Sequence, residues 1–225
     1  MREGIYRFLE IAAGTLDLLE PILEIGPAAL KNERFGRLVV GRSYFTLDAD
    51  PALRPSLVGD AMTMPVRDSS VGTVVVCEVL EHVRNPFDVA AEITRVMKPN
   101  GLCVASTPYD LPIHNFPRDF FRPSPDALSF LFSSLPCRII GYQGRPEFPH
   151  TSFFLGFKRE DLDCATISSR LERELRIRMH QNRWRWMGSI PHFRHNPYVR
   201  SLTYFNNFHF ESCSEEGCIA RGLQE

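Results

Sequence analysis

The run Thr73-Val74-Val75-Val76-Cys77 constrains this chain more than any other stretch. It is β-branched and carries no charge, as expected of a central parallel strand covered on both faces. Parallel strands need crossover connections, so helices must lie on either side of it in sequence. The flanking segments read that way. Pro21-Ile22-Leu23-Glu24-Ile25-Gly26 is a short buried strand ending in a glycine turn, and Ser43-Tyr44-Phe45-Thr46-Leu47-Asp48 is a strand closed by an acid. Asp88 to Met97 is predicted as a helix with Val89, Ile93, Val96 and Met97 on one face, stopped by Pro99-Asn100-Gly101. Leu102 to Ser106 is the next strand, and Pro125 to Leu135 a helix that Ser124 caps. Arg138 to Tyr142 and Thr151 to Lys158 are the last strands of this series. The turn from Gly144 to Pro149 is too short for a crossover helix, so this pair must run antiparallel.

Repeated strand–helix units with one closing hairpin predict an α/β fold, a doubly wound and mostly parallel sheet with a final antiparallel strand. Ile5, Phe8, Leu9, Ala12, Leu16 and Leu19 fit one face of a helix ahead of it. Residues 1–159 read as the core with this N-terminal helix. Residues 160–225 read as a helical or irregular appendage, with its last ten residues expected to be disordered. In the appendage Ile167, Leu171, Leu175 and Met179 recur every four residues. Eight arginines stand against two acids between Arg170 and Arg200, among Trp184, Trp186, Phe193 and Tyr198. Three readings fit this stretch: a solvated amphipathic helix packed through its Leu171 face, a lid for an acidic acceptor, or a nucleic-acid or lipid patch.

At 225 residues the chain is long enough for one sizeable core. A net charge of -1 gives no overall attraction to nucleic acid or anionic lipid, so no nucleic-acid partner is expected. No apolar run reaches the length of a membrane span. Glu10 and Asp17 interrupt what would otherwise be a secretory core, so no signal peptide is expected. The six cysteines are scattered with no C-x-x-C pair, and Cys77 and Cys103 fall inside apolar strands. A reduced, cytoplasmic protein is the expectation.

Ligands of doubly wound sheets sit beyond the carboxyl ends of the strands, which brings Gly26, Asp48, Glu78 and Ser106 to one edge. A glycine there lets a ligand approach the backbone. Asp48, 22 residues on, can accept both ribose hydroxyls of an adenosine. In Val58-Gly59-Asp60-Ala61-Met62-Thr63-Met64-Pro65, Asp60 can accept from an adenine amino group while Ala61 and Met62 cover the ring. Each feature also has a plain structural reading, as a turn or a solvated acid.

In order and wording, Glu24-Ile25-Gly26, Leu47-Asp48-Ala49-Asp50-Pro51, Gly59-Asp60-Ala61, Cys77-Glu78-Val79-Leu80-Glu81-His82-Val83 and Arg95-Val96-Met97-Lys98-Pro99-Asn100-Gly101 resemble the class I methyltransferases, type 11 branch, over roughly residues 20–158. The resemblance implies a seven-stranded Rossmann-like sheet and S-adenosylmethionine as cofactor. It implies that Glu24 and Gly26, with Pro27, lie beside the methionine part. Asp48 and Ala49 would then hold the ribose, Asp60, Ala61 and Met62 the adenine, and Glu78 and Val79 the wall near the sulfonium. The family usually has a second glycine two positions after the first, where this chain has Pro27 and Ala28.

Methyl transfer to a hydroxyl needs alignment and removal of a proton, for which a histidine is suited. His82 follows the motif at the end of the central strand. His114 lies in the loop after Ser106, in a segment resembling the H-x-x-P-x-D-x-x-R of type 11 enzymes, some of which act on sugars and other natural products. Either can be the base. The plainer readings make His82 a helix-start residue and let Asp119 and Arg122 pair to pin the loop, with His114 exposed. Asp110, Asp119 and His114 could bind a metal, but no spacing demands one, and none is expected. The leading expectation is O-methylation of a sugar-like or secondary-metabolite acceptor, with self-association left open. The alternative is a non-catalytic relative, a scaffold or partner subunit. A nicotinamide dehydrogenase lacks its G-x-G-x-x-G turn and leaves Glu78 to His82 unexplained.

Overall fold

The computed structural model describes residues 3–27, 34–114, 118–145, 147–181 and 208–213. In chain order the elements are α1 (Glu3–Thr15), β1 (Ile22–Ile25), α2 (Arg34–Leu38), β2 (Tyr44–Asp48), β3 (Leu57–Val58), β4 (Val71–Cys77) and α3 (Pro86–Val96). They continue with β5 (Met97–Pro108), α4 (Pro125–Leu131), β6 (Cys137–Arg145), β7 (Phe148–Phe157), α5 (Cys164–Gln181) and β8 (Phe208–Cys213). One sheet unites the strands in the order β3-β2-β1-β4-β5-β7-β6-β8. β3, β2, β1, β4 and β5 run parallel, β7 is antiparallel to β5 and β6, and β8 is antiparallel to β6.

The expected doubly wound sheet is therefore present, with its seven strands extended by β8 at the edge. That strand arises in a polar stretch where no strand is expected. It pairs Gly141 with Phe210 across a long sequence separation that local pattern does not reveal.

β4 is buried along its whole length, as its composition requires. Alternation along the strands divides the core. Ile22, Val75, Val104, Ile139 and Phe153 face α1, α2 and α5, while Leu23, Val74, Cys103, Ile140 and Phe154 face α3 and α4. Leu171 and Leu175 of α5 are buried in the first of these layers together with Phe8 of α1. Most of the arginine–aromatic stretch, including Trp184, Trp186, Phe193 and Tyr198, lies outside the described residues.

Two helix starts are fixed by side chains. Asn85 accepts the Phe87 N–H at 3.1 Å and Ser124 accepts the Ala127 N–H at 3.1 Å, each ahead of a proline in the first turn. α4 ends at Leu131 rather than Leu135, because residues 132–134 turn instead of continuing the helix. α3 ends at Val96, and Met97 already pairs with Val71 as the first residue of β5. The Pro99-Asn100-Gly101 turn then lies inside that strand, with Asn100 left-handed at φ 64° and its N–H on the Lys158 carbonyl at 3.0 Å.

The cysteines depart from the expectation of a wholly reduced chain. Cys137 and Cys164 are joined in a disulfide with a Cα–Cα distance of 6.4 Å, because β6 and α5 start side by side although 27 residues separate them. Cys77 and Cys103 are free and buried, and burial pushes both thiols up. Among the described residues, no helix is long and apolar enough to cross a membrane.

Candidate active site

The order in which strands are added reverses between β1 and β4, so a crevice opens beyond their carboxyl ends. Gly26 stands at that point with φ 63°, its N–H donated to the Leu47 carbonyl at 2.9 Å. A Cβ here would meet Val79 Cγ2 at 2.5 Å. The backbone turn at Gly26 and the side chain of Val79 therefore close on each other from neighbouring strands, with no room for a larger residue. Pro27 is half-buried beside it, and Ala28 lies outside the described residues.

Glu24 precedes this turn and is buried, with 4% of its surface exposed. Burial raises its carboxyl pKa, and the hydrogen bond donated by the Tyr44 hydroxyl opposes that rise. Asp48 ends β2. Its Oδ1 accepts the Asp50 N–H at 2.9 Å and its carbonyl accepts the Gly59 N–H at 3.0 Å. Asp60 repeats the device, with Oδ1 accepting the Met62 N–H at 2.8 Å. Each aspartate uses one oxygen to shape its own loop. Ala49 is exposed, Ala61 is buried and Met62 half-buried against the α3 layer. Glu92 of α3 pins the second loop by accepting the Met64 N–H at 2.7 Å.

Beyond β4 the chain turns sharply. Glu78 is left-handed at φ 59°, a conformation that costs a non-glycine residue about 1 kcal/mol or more, and its N–H reaches the Ser106 carbonyl at 2.9 Å. The His82 N–H closes the turn on the Val79 carbonyl at 2.9 Å. Between them Glu81 is wholly buried, and its backbone carbonyl accepts the Phe120 N–H at 2.7 Å. The loop after β5 is thereby fastened to the end of β4.

That loop delivers His114 to His82. Their rings lie 4.9 Å apart, edge to face, and His82 Nε2 stands 3.7 Å from Glu81 Oε1. His82 Nδ1 contacts the Arg118 carbonyl, while His114 Nδ1 lies 3.2 Å from Asp119 Oδ2 and 3.3 Å from the Pro112 carbonyl. One donor atom each from Glu81, His82 and His114 can be chosen so that all three lie within 4.8 Å of one another.

Asp119 is gripped by both Nη atoms of Arg122, with Nη2 at 2.6 Å from Oδ2, and also accepts the His114 N–H at 2.9 Å. These donors hold its carboxyl well below the usual carboxylate range, the Arg122 hydrogen bonds first among them. Arg122 also donates to the Leu111 carbonyl at 3.2 Å. The pair does pin the loop, and in doing so it sets His114 against His82.

The structure thus gathers Gly26, Val79, Glu78 and His82 around the ends of β1 and β4, with Asp48 and Asp60 ending β2 and following β3. Of the donors considered for a metal, Asp110 and Asp119 are outside the Glu81–His82–His114 group. Sequence reasoning gave no role to Tyr44 or Glu81. The pattern of alternating positions could have paired Tyr44 with Glu24, since the register sets Ile22 opposite Tyr44 and Glu24 two residues on. Nothing local announces that Glu81 is buried.

Comparison with known proteins agrees with this architecture. The family described as a methyltransferase domain matches residues 37–105. A ubiquinone/menaquinone biosynthesis C-methyltransferase from Dinoroseobacter shibae is 32% identical over 98 residues, which is 42% of this chain and 39% of that protein. The chain thus spans about two fifths of this curated relative. A SAM-dependent methyltransferase from Archaeoglobus fulgidus superposes with a TM-score of 0.57 at 14% identity, covering 70% of this chain and 95% of that one. Another from Thermotoga maritima gives 0.51 at 16% identity, covering 69% and 91%. The fold is that of the class I methyltransferases.

Proposed function

We propose that this chain, built on the class I methyltransferase fold, binds S-adenosylmethionine across the ends of β1, β2 and β4 and methylates a small-molecule acceptor. The observation that carries the reading is the reversal of strand order between β1 and β4, with left-handed Gly26 (φ 63°) after β1 and Asp48 at the end of β2 beside it, the place where doubly wound sheets bind their ligands. The surrounding residues fit that cofactor. Glu24, Gly26 and Pro27 would flank its methionine part, and Asp48, beside Ala49, would take the ribose hydroxyls on the oxygen its own loop leaves over. Asp60, Ala61 and Met62 would hold the adenine, and Glu78 and Val79 would wall the sulfonium. The bound cofactor supplies an electrophilic methyl group on sulfur.

The chain's own task is to align the acceptor and prepare it. Activation falls to His82 and His114, whose rings meet at the end of β4 on the side where the β5 loop closes. A nitrogen site suited to moving a proton favours an oxygen acceptor, a sugar-like or secondary-metabolite hydroxyl.

Calorimetry with S-adenosylhomocysteine on the full chain tests this. Binding on the order of micromolar is expected, weakened at least about tenfold by Asp48→Ala. One feature favours a second reading, a non-catalytic scaffold: Pro27, directly after Gly26, has no N–H to offer a ligand. Absence of binding by both cofactor forms is the outcome that would select it.

A further inference from the structure

We infer that Glu81, His82 and His114 form a site for one divalent transition-metal ion of the zinc class at the acceptor end of the cleft. The inference rests on the acceptor site proposed above. It replaces direct proton transfer by the two histidines with a ligand role, the acceptor oxygen being activated on the ion that they hold.

Two imidazoles and one carboxylate are the donor set of borderline divalent metals, and too nitrogen-rich for magnesium or calcium. One donor from each residue already lies within 4.8 Å of the others. Ligands about 2.1 Å from a tetrahedral zinc stand roughly 3.4 Å apart, so side-chain rotations would bring the three donors onto one ion and leave its fourth position open.

The hydrogen bonds behind the histidines fix which nitrogen is available. His82 Nδ1 faces the Arg118 carbonyl, an acceptor only, so the proton resides on Nδ1 and the lone pair on Nε2, the atom 3.7 Å from Glu81. His114 Nδ1 likewise faces oxygens, those of Asp119 at 3.2 Å and Pro112 at 3.3 Å. A carbonyl behind one imidazole and a carboxylate behind the other is how proteins orient histidines that ligate metals. Asp119 is itself held by Arg122, so the outer support is rigid.

His114 is 39% exposed, which leaves the ion an open side for an acceptor oxygen.

An ion held there would lower the pKa of a bound acceptor hydroxyl, which could then release its proton to water. Its oxygen then forms the new bond to the methyl carbon as the methyl–sulfur bond breaks. The sulfonium leaves as a neutral thioether and the ion is unchanged, so no oxidant or reductant is needed.

The test uses the full chain stripped with a chelator and titrated by calorimetry with zinc chloride and, separately, magnesium chloride. One zinc per chain is expected, with affinity on the order of micromolar or tighter and far above that for magnesium. His82→Ala and His114→Ala should each weaken zinc binding at least about tenfold, and His114→Ala should shift the visible absorption of the cobalt-loaded protein. Because Glu81 is buried, its substitution tests folding as well as binding, and the histidine variants decide. Zinc that fails to bind, or that both variants retain unchanged, overturns the site. Titrating the same stripped protein with S-adenosylhomocysteine separates the two proposals. Cofactor binding without zinc binding ends the metal site alone, and zinc binding without cofactor binding ends the methyltransferase reading alone.

Discussion

Tyr44 donates its hydroxyl to Glu24 diagonally across the parallel ladder of β1 and β2. The bond steadies a carboxyl group whose burial lifts its pKa above the ordinary 4.5. A carboxyl raised in the folded state gives its full stability below the unfolded value and loses it as pH climbs through the folded one. Above the unfolded value, keeping this carboxyl buried therefore costs stability. Glu24→Gln keeps an acceptor for Tyr44 and removes the charge, so it should stabilise by about 1 kcal/mol at pH 7 and hardly at all at pH 4. Thermal unfolding at both pH values checks this, with a melting rise of roughly 2–4 °C expected at the higher one. The same variant should bind S-adenosylhomocysteine less tightly. An equal melting shift at both pH values would remove the electrostatic explanation.

Gly26 is the most restrictive position in the cleft. Gly26→Ala places a methyl group 2.5 Å from Val79 Cγ2 on a backbone with φ 63°. Left-handed strain and the clash together should lower stability by about 1–3 kcal/mol and weaken cofactor binding further. Adding Val79→Ala removes the clash but not the strain. In urea titrations the double variant should regain part of the loss, and no recovery would mean the two residues do not press on each other.

Arg122→Ala leaves the Asp119 carboxylate, 2% exposed at its side chain, with its main countercharge gone. Both residues are half-buried, so leaving this carboxylate without its donors should cost on the order of 1–3 kcal/mol. Asp119 also orients His114, so the loop should loosen where it crosses His82. Limited proteolysis within residues 109–122 should accelerate in the variant, with the rest of the chain cut at its former rate.

Leu171 and Leu175 seat α5 in the same apolar layer as Phe8 of α1. Leu171→Ala should cost about 2–4 kcal/mol, read from a denaturant midpoint. A cost below about 0.5 kcal/mol would mean that α5 adds little to the stability of the core.

Much of this fold was legible because its signals are local. The β-branched run at Thr73–Cys77, the Asn85-Pro86 and Ser124-Pro125 helix starts, and the short Gly144–Pro149 connection each declare an element within a few residues. Their order, with the glycine after β1 and the acid after β2, indicates which edge of the sheet a ligand of such a fold would use. What escaped depends on distance in sequence. β8 is recognisable only from its partner β6, and the Cys137–Cys164 link follows from where two elements begin. The site divides the same way. Asp48 and Asp60 could be read from strand ends, but the meeting of Glu81, His82 and His114 depends on a loop clasped by the Glu81 carbonyl and the Asp119–Arg122 pair. Helix boundaries slipped for a similar reason, since pairing with Val71 draws Met97 into a strand although its pattern suits a helix.

Phe208–Cys213 occupies the side of β6 that faces away from β7, from Arg138 to Gln143. Were those six residues removed, β6 would offer its free amides and carbonyls to any passing chain, its own copies included. Aggregation is the hazard of such an open flank. A shortened version of this protein that precipitates would thus report a lost chaperoning contact within the molecule, rather than a defect in the cleft.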